Sequence, residues 1–443
     1  MYLLYSLAII CYAIVLSPRL LYHAVRHGKY VGTLSERWGR LPTAINAQGA
    51  RSIWIHAVSV GEVLATRALI RALRDRYPNH PIWLSTTTQT GRAAATTLGG
   101  IDGLFYFPLD LSPVVTRVLD RVRPDLFVMV DTELWPNLLR HCQRRGVKTI
   151  LVNGRISDRS YPRYRLVRTF FKHVLGDVDR CCAQSDESGR RLSELGALPD
   201  RVSVTGNLKF DTLPIPDSRA VSLPHNVLRA FQVAEGRTVV VAASTHAGEE
   251  TPVFEAFARI RDRDRDALLI IAPRHPERCD EVMVLAVGLG LETVRRSDLS
   301  GDREPCAAVV VLDTVGELAI LFKIATVVFL GGSLVPAGGH NVLEPAVWGK
   351  PVVFGPHMEN FAEIAELFLS NRAARQITSA DALEPALSSL LGDTVQRAAL
   401  GAAASALVEA NRGATERSLA VIAELLPSVA TGPAGAVVPF GAR

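Results

Sequence analysis

Ser52-Ile53-Trp54-Ile55-His56-Ala57-Val58-Ser59-Val60-Gly61-Glu62 sets the pattern that the rest of the chain repeats. Ser52–Val58 reads as a buried strand, and Gly61 permits a tight turn. Glu62–Tyr77 follows, with apolar residues recurring at helical spacing. Further apolar runs at Ile82–Ser85, Leu104–Phe107, Leu126–Val130, Val147–Val152, Val178–Ala183 and Val202–Thr205 are separated by helical stretches. Strands alternating with helices predict parallel βαβ units, with helices covering both faces of a sheet. The rhythm breaks over Asp211–Pro224, where Pro214, Pro216 and Pro224 stand among polar residues; this predicts a linker. A second series begins at Val239–Ala243 and continues through Leu268–Ala272, Ala307–Leu312, Val327–Leu330 and Val352–Phe354. Alanine-rich helical sequence fills Asp381–Leu426, and a Gly/Pro/Ala/Val-rich tail follows Pro427.

The expectation is therefore an α/β protein of two doubly wound, Rossmann-like domains facing a cleft. Residues 19–210 form the first domain, 211–224 the linker, 225–426 the second domain and 427–443 a loose tail. In such sheets ligands bind just outside the carboxyl ends of the strands, so chemistry is sought immediately after each apolar run.

Composition narrows the function. Of 443 residues, 48% are hydrophobic and 21% charged, which excludes wholesale disorder. Lys and Arg total 49 against 44 acids, a balance too mild for a dedicated nucleic-acid binder. The 6 cysteines show no Cys-x-x-Cys spacing, which suits a reducing compartment and argues against a zinc site or disulfide framework. Met1–Leu16 is uncharged and apolar, and Arg19, Arg26, Lys29, Arg37 and Arg40 follow it with Glu36 as their sole acid. That order predicts a membrane anchor over residues 1–18, with the remaining chain on the cytoplasmic side. A cleavable signal wants its basic residues first; a core helix is the other alternative.

The strand exits carry the reactive side chains. Glu62, in a helical first turn, is placed to accept a proton from an attacking hydroxyl, although the helix dipole alone favours acids there. Asp131-Thr132-Glu133-Leu134-Trp135-Pro136-Asn137 follows another strand and reads either as a surface for a partly apolar acceptor, with Glu133 and Asn137, or as a helix cap. Asn153-Gly154-Arg155-Ile156-Ser157 opens a basic stretch in which Arg155, Arg159 and Arg163 recur at helical spacing, followed by Arg165, Arg168 and Lys172. Such a face suits phosphate oxygens, or it is simply a solvated helix. Lys209 precedes the linker. Beyond it, Ser244-Thr245-His246 and Arg274-His275 end strands of the second half. The densest motif is Gly331–Ala346, where Gly332, Ser333, Gly338, Gly339, His340, Asn341 and Glu344 predict a nucleotide pocket. Its glycine amides would approach an anion, a following helix would add its positive end, and Glu344 would accept the ribose hydroxyls. No phosphate loop of the Gly-x-x-x-x-Gly-Lys kind, His-Glu-x-x-His zinc motif or Gly-x-Ser-x-Gly elbow is present.

Taken in order, Ser59–Glu62, Thr132–Asn137, Asn153–Ser157, Gly206–Phe210, Ser244–Glu250, Pro273–Pro276 and Gly331–Pro345 resemble the 3-deoxy-D-manno-octulosonic acid (Kdo) transferases. The resemblance reaches to about Leu426. It implies the GT-B fold, an acceptor-binding first half and a donor-binding second half. It further implies CMP-Kdo as donor, a phosphorylated lipid A precursor as acceptor, and transfer without a metal or other cofactor. By the same resemblance Glu62 is the general base and Glu133 a second acid. Lys209 and Arg274 are partners of donor charge, while Gly338, Gly339, Asn341 and Glu344 belong to the nucleotide pocket. The alternatives are another GT-B protein using a UDP-sugar, as transferase or epimerase, and a non-catalytic nucleotide-binding scaffold at the membrane.

Overall fold

The structure is a computed structural model that describes residues 2, 4–11, 15, 33–158, 160–213, 237–299 and 307–426. The chain divides into two compact units, Met1–Thr212 with Arg412–Arg443, and Leu213–Asn411.

The first unit is built on β1 (Ser52–His56), β2 (Ile82–Thr86), β3 (Gly103–Tyr106), β4 (Pro124–Val130), β5 (Lys148–Gly154), β6 (Arg180–Ala183) and β7 (Val202–Val204). They pair in parallel in the order β3-β2-β1-β4-β5-β6-β7. Trp54, Phe127 and Met129 point into one buried cluster, and Ile53, Ile55, Leu126 and Val128 into another on the opposite face. Both faces are covered, which is why the strands read as unbroken apolar runs rather than alternating ones. The strand order reverses between β1 and β4, making their carboxyl ends the topological switch point.

The second unit repeats the scheme. Its strands are β8 (Val239–Thr245), β9 (Leu268–Pro273), β10 (Thr293–Arg295), β11 (Val309–Val311), β12 (Val327–Leu330), β13 (Val352–Phe354) and β14 (Arg375–Gln376). The order is β10-β11-β9-β8-β12-β13-β14, and the reversal falls between β8 and β12. Strands β10 and β14 escape the sequence reading because they are short, polar edge strands without an apolar run.

Several expectations are corrected. The helix expected over Glu62–Tyr77 is two, Val60–Ala65 and Arg67–Arg76, joined at Thr66, whose hydroxyl donates back to the Val63 carbonyl at 2.7 Å. The basic stretch becomes helical only at Tyr161–Leu166 and Arg168–Gly176, so Arg155 and Ser157 precede it in a loop; Arg159 lies outside the described residues. The second domain does not extend to residue 426, because helix Ala414–Leu425 belongs to the first unit. Ala414 and Ile422 enter the first unit's core, and Asp211, expected to begin the linker, accepts the Gly413 amide at 2.8 Å and the Thr415 amide at 2.5 Å. Linker residues 214–224 and tail residues 427–443 lie outside the described residues, as does much of the expected anchor over 1–18. Residues 4–11 are helical, and among the described residues no helix is long and apolar enough to cross a membrane.

Candidate functional site

At the first unit's switch point, Ser59 caps helix Val60–Ala65 and Glu62 reaches back, forming a capping box. One Glu62 oxygen accepts the Val58 amide and the other the Ser59 hydroxyl, each at 2.7 Å. Burial raises the Glu62 carboxyl, the nearby Asp131 raises it further, and those hydrogen bonds oppose the rise. Glu133, after β4, sits in the same field. Burial first, then Glu62 and Asp131, push its carboxyl up to about 7, and among the described residues it accepts no hydrogen bond. Asp131 is raised by burial and eased back by Asn153, Lys209 and Arg155. The structure thus gathers Glu62, Glu133, Arg155 and Lys209 around Asp131. The sequence reading gave Asp131 no role, since nothing in the string marks it except its position at a strand exit.

Two other expected acceptor residues are engaged by the first unit's own structure. Asn137 is 2% exposed, and its side chain donates to the Asp110 carbonyl at 2.6 Å and to Ser6 Oγ at 3.0 Å. With its amide on the Asp110 carboxylate, it fixes the start of helix Pro136–Arg144 rather than facing an acceptor. Ser157 shares a 2.8 Å hydrogen bond with Ser160 and shapes the turn into helix Tyr161–Leu166.

In the second unit the exits of β8, β9 and β12 converge. His246 Nε2 lies 3.0 Å from His340 Nε2 with their rings stacked, and the His275 ring meets His246 edge-on with centroids 5.9 Å apart. Burial lowers His246. Burial together with His246, Arg274 and His275 pushes His340 down to about 4, so the His340 ring is held neutral. Thr245 is buried, and its hydroxyl has no hydrogen-bond partner among the described residues; Ser244 before it takes φ +55°. Arg274 is exposed beside this cluster, its amide on the Thr245 carbonyl at 2.9 Å.

The glycine-rich loop works differently from the expectation. Glu249, fully buried, accepts the amides of His246 (2.9 Å), Gly332 (2.6 Å), Ser333 (3.0 Å) and Leu334 (2.8 Å). The amides at Gly332 and Ser333 are therefore committed to an internal carboxylate and do not cradle a ligand phosphate. The Ser333 hydroxyl accepts the Gly355 amide at 2.8 Å, which ties the loop to the exit of β13. Gly338 (φ +90°) and Gly339 (φ +71°) pack against residues 357–360, where a Cβ would lie 2.3 Å from Asn360 Nδ2 or from Met358 Sδ. The helix expected to lend its positive end is only Leu343–Ala346. Asn341 donates to Glu344 at 3.1 Å, and burial raises the Glu344 carboxyl. Among the described residues no group of three His, Cys, Asp or Glu side chains is placed to hold a metal ion.

Two parallel sheets, each with its functional loops at a switch point, define a GT-B-like α/β enzyme. The structure aligns with UDP-GlcNAc 2-epimerase from Neisseria meningitidis over 85% of this chain and 100% of that one, with TM-score 0.59 and 12% identity, a likeness of fold alone. The family model described as 3-deoxy-D-manno-octulosonic-acid transferase matches residues 32–212. The chain is 34% identical to the 3-deoxy-D-manno-octulosonic acid transferase of Haemophilus influenzae, covering 94% of this chain and 96% of that protein. It is 35% identical to the Bordetella pertussis enzyme of the same name, covering 88% and 91%. The chain belongs to the Kdo transferase family: it is a glycosyltransferase that transfers Kdo in lipopolysaccharide biosynthesis.

Proposed function

We propose that this enzyme transfers Kdo from CMP-Kdo to a phosphorylated lipid A precursor, lipid IVA, in a single displacement with inversion. The observation that carries the acid–base part is the convergence of Glu62 and Glu133 at the β1/β4 switch point, where burial raises both carboxyls, Asp131 raises each further, and Glu62 adds to the rise of Glu133. Glu62 takes the proton as the acceptor oxygen attacks the anomeric carbon. The bond to CMP breaks with its electron pair passing to the phosphate oxygen, and Arg274, near the histidine pair, faces that gathering charge. Glu62→Gln should abolish turnover of CMP-Kdo and lipid IVA while CMP still raises the Tm of the variant as it does the parent. Near-normal rates in that variant would remove Glu62 as base, and absence of any transfer by the parent in a lipid-competent assay would remove the acceptor assignment.

A second reading gives the proton to Glu133. It is supported by that group's lack of hydrogen bonds among the described residues, whereas both Glu62 oxygens serve the helix cap. Loss of turnover in Glu133→Gln with retention in Glu62→Gln would select it.

We further propose that the enzyme works at the cytoplasmic face of the inner membrane. Exposed Arg163, Arg165, Arg168 and Lys172 flank exposed Leu166 and Val167, and Tyr5 of the apolar N-terminus packs on Phe170 of the same helices. Flotation with phosphatidylglycerol vesicles should fail when those four cations are replaced by Gln.

A further inference from the structure

Asp131, just past β4, and Asn153, in the last residues of the adjacent β5, take φ of +55° and +56°, a left-handed conformation that glycine adopts most easily. Asp and Asn tolerate it better than other side chains, which explains the backbone but not what the two side chains do. They are joined to one another: Asn153 Nδ2 donates to Asp131 Oδ1 at 2.5 Å. The remaining Asn153 atom, Oδ1, accepts the Leu208 amide at 3.0 Å, in the buried turn that carries Lys209. The Asp131 amide in turn donates to the Val152 carbonyl at 3.0 Å. One short relay therefore joins the loop bearing Glu133, the strand leading to Arg155 and the turn bearing Lys209. Its carboxylate stands within the field of two acids, Glu62 and Glu133, and two cations, Arg155 and Lys209; Tyr164, from helix Tyr161–Leu166, also faces Glu133.

We propose that Asp131 and Asn153 are a positioning pair for proton transfer: Asn153 locks the Lys209 turn to the acid loop, and Asp131, held by that tie, places an ionisable carboxyl between the acids and the cations. The inference rests on the reading of Glu62 or Glu133 as the base. Asp131→Asn keeps an acceptor for Asn153 and a residue suited to φ +55°, but removes the charge. Loss of that charge weakens proton binding by Glu62 and Glu133. The acid limb of the kcat/KM–pH profile should move down by about one unit. Asn153→Gly suits its φ and deletes both side-chain ties. Its kcat should fall roughly tenfold through misplacement of the reacting groups, while the protein stays folded.

An unmoved acid limb in Asp131→Asn, or a parental kcat in Asn153→Gly, would overturn the proposal. So would a fall in Tm in either variant with the pH profile and kcat unchanged, since that is the signature of a merely structural tie. Where Asp131→Asn does not fold, Asn153→Gly decides by kcat alone. Failure of the base reading is separate: there Glu62→Gln and Glu133→Gln both keep full turnover, and the acid limb persists in each.

Discussion

Glu62 and Glu133 occupy equivalent places, each just past the carboxyl end of a central strand, yet the chain holds them differently. Glu62 is fixed by its own helix cap, while Glu133 accepts no hydrogen bond among the described residues. Its carboxyl, ordinarily near 4.5, stands at about 7, so the folded chain binds that proton more tightly than the unfolded one. The stability this provides is complete below about 4.5 and is lost as pH rises through about 7. Glu133→Gln, which imitates the protonated form, should therefore raise Tm over the parent at pH 8 and leave it unchanged at pH 4.5, as differential scanning calorimetry at the two pH values would read. Both acids are legible in the sequence because position after a strand exposes them. Asp131 is not, because what distinguishes it is a positive φ and a partner 22 residues away, neither of which a string displays.

Loops show the opposite balance. The glycine pairs announce a special backbone, and all three of Gly332, Gly338 and Gly339 do take positive φ. What those turns serve is decided by Glu249, an acid that reads in the sequence as an ordinary helix-start residue. Glu249→Gln would set a side-chain NH2 against backbone donors and leave amides unpaired, at a cost of about 2–4 kcal/mol. Chemical denaturation should show that loss, and CMP should no longer raise the Tm. Gly339→Ala should destabilise more than Gly338→Ala. At position 339 the new Cβ meets the Met358 sulfur and also the His357 carbonyl at 2.9 Å, whereas at 338 it meets only the movable Asn360 amide. A pair of urea titrations would rank them.

Across the whole molecule, the chain leaves its first unit near residue 212 and returns to it at 412. The returning helix is stitched in by Asp211, by Arg417 on the Thr205 carbonyl at 2.8 Å, and by Tyr77 on the Leu426 carbonyl at 2.6 Å. Truncation after Asn411 should therefore destabilise the first unit, although every residue removed follows the second. Asp211→Ala, which frees two helix-start amides, should cost about 1–2 kcal/mol. Limited proteolysis would find the new cleavage sites among residues 33–212 and not among 237–411.

The sequence by itself determined the two parallel sheets, because strands buried on both faces must be continuous apolar runs and the helices between them must show their 3.6-residue period. It also determined where reactive side chains gather, since strand exits carry the polar residues. Only the tertiary structure decided which of those residues meet. Asn137 turns into the core, Glu249 absorbs the glycine-loop amides, Asp131 and Asn153 join two strand exits, and the last helix crosses back to the first sheet. Each of these rests on a contact between residues distant in the chain, and a hydrogen bond or a buried face is chosen by three-dimensional proximity, which no local pattern encodes.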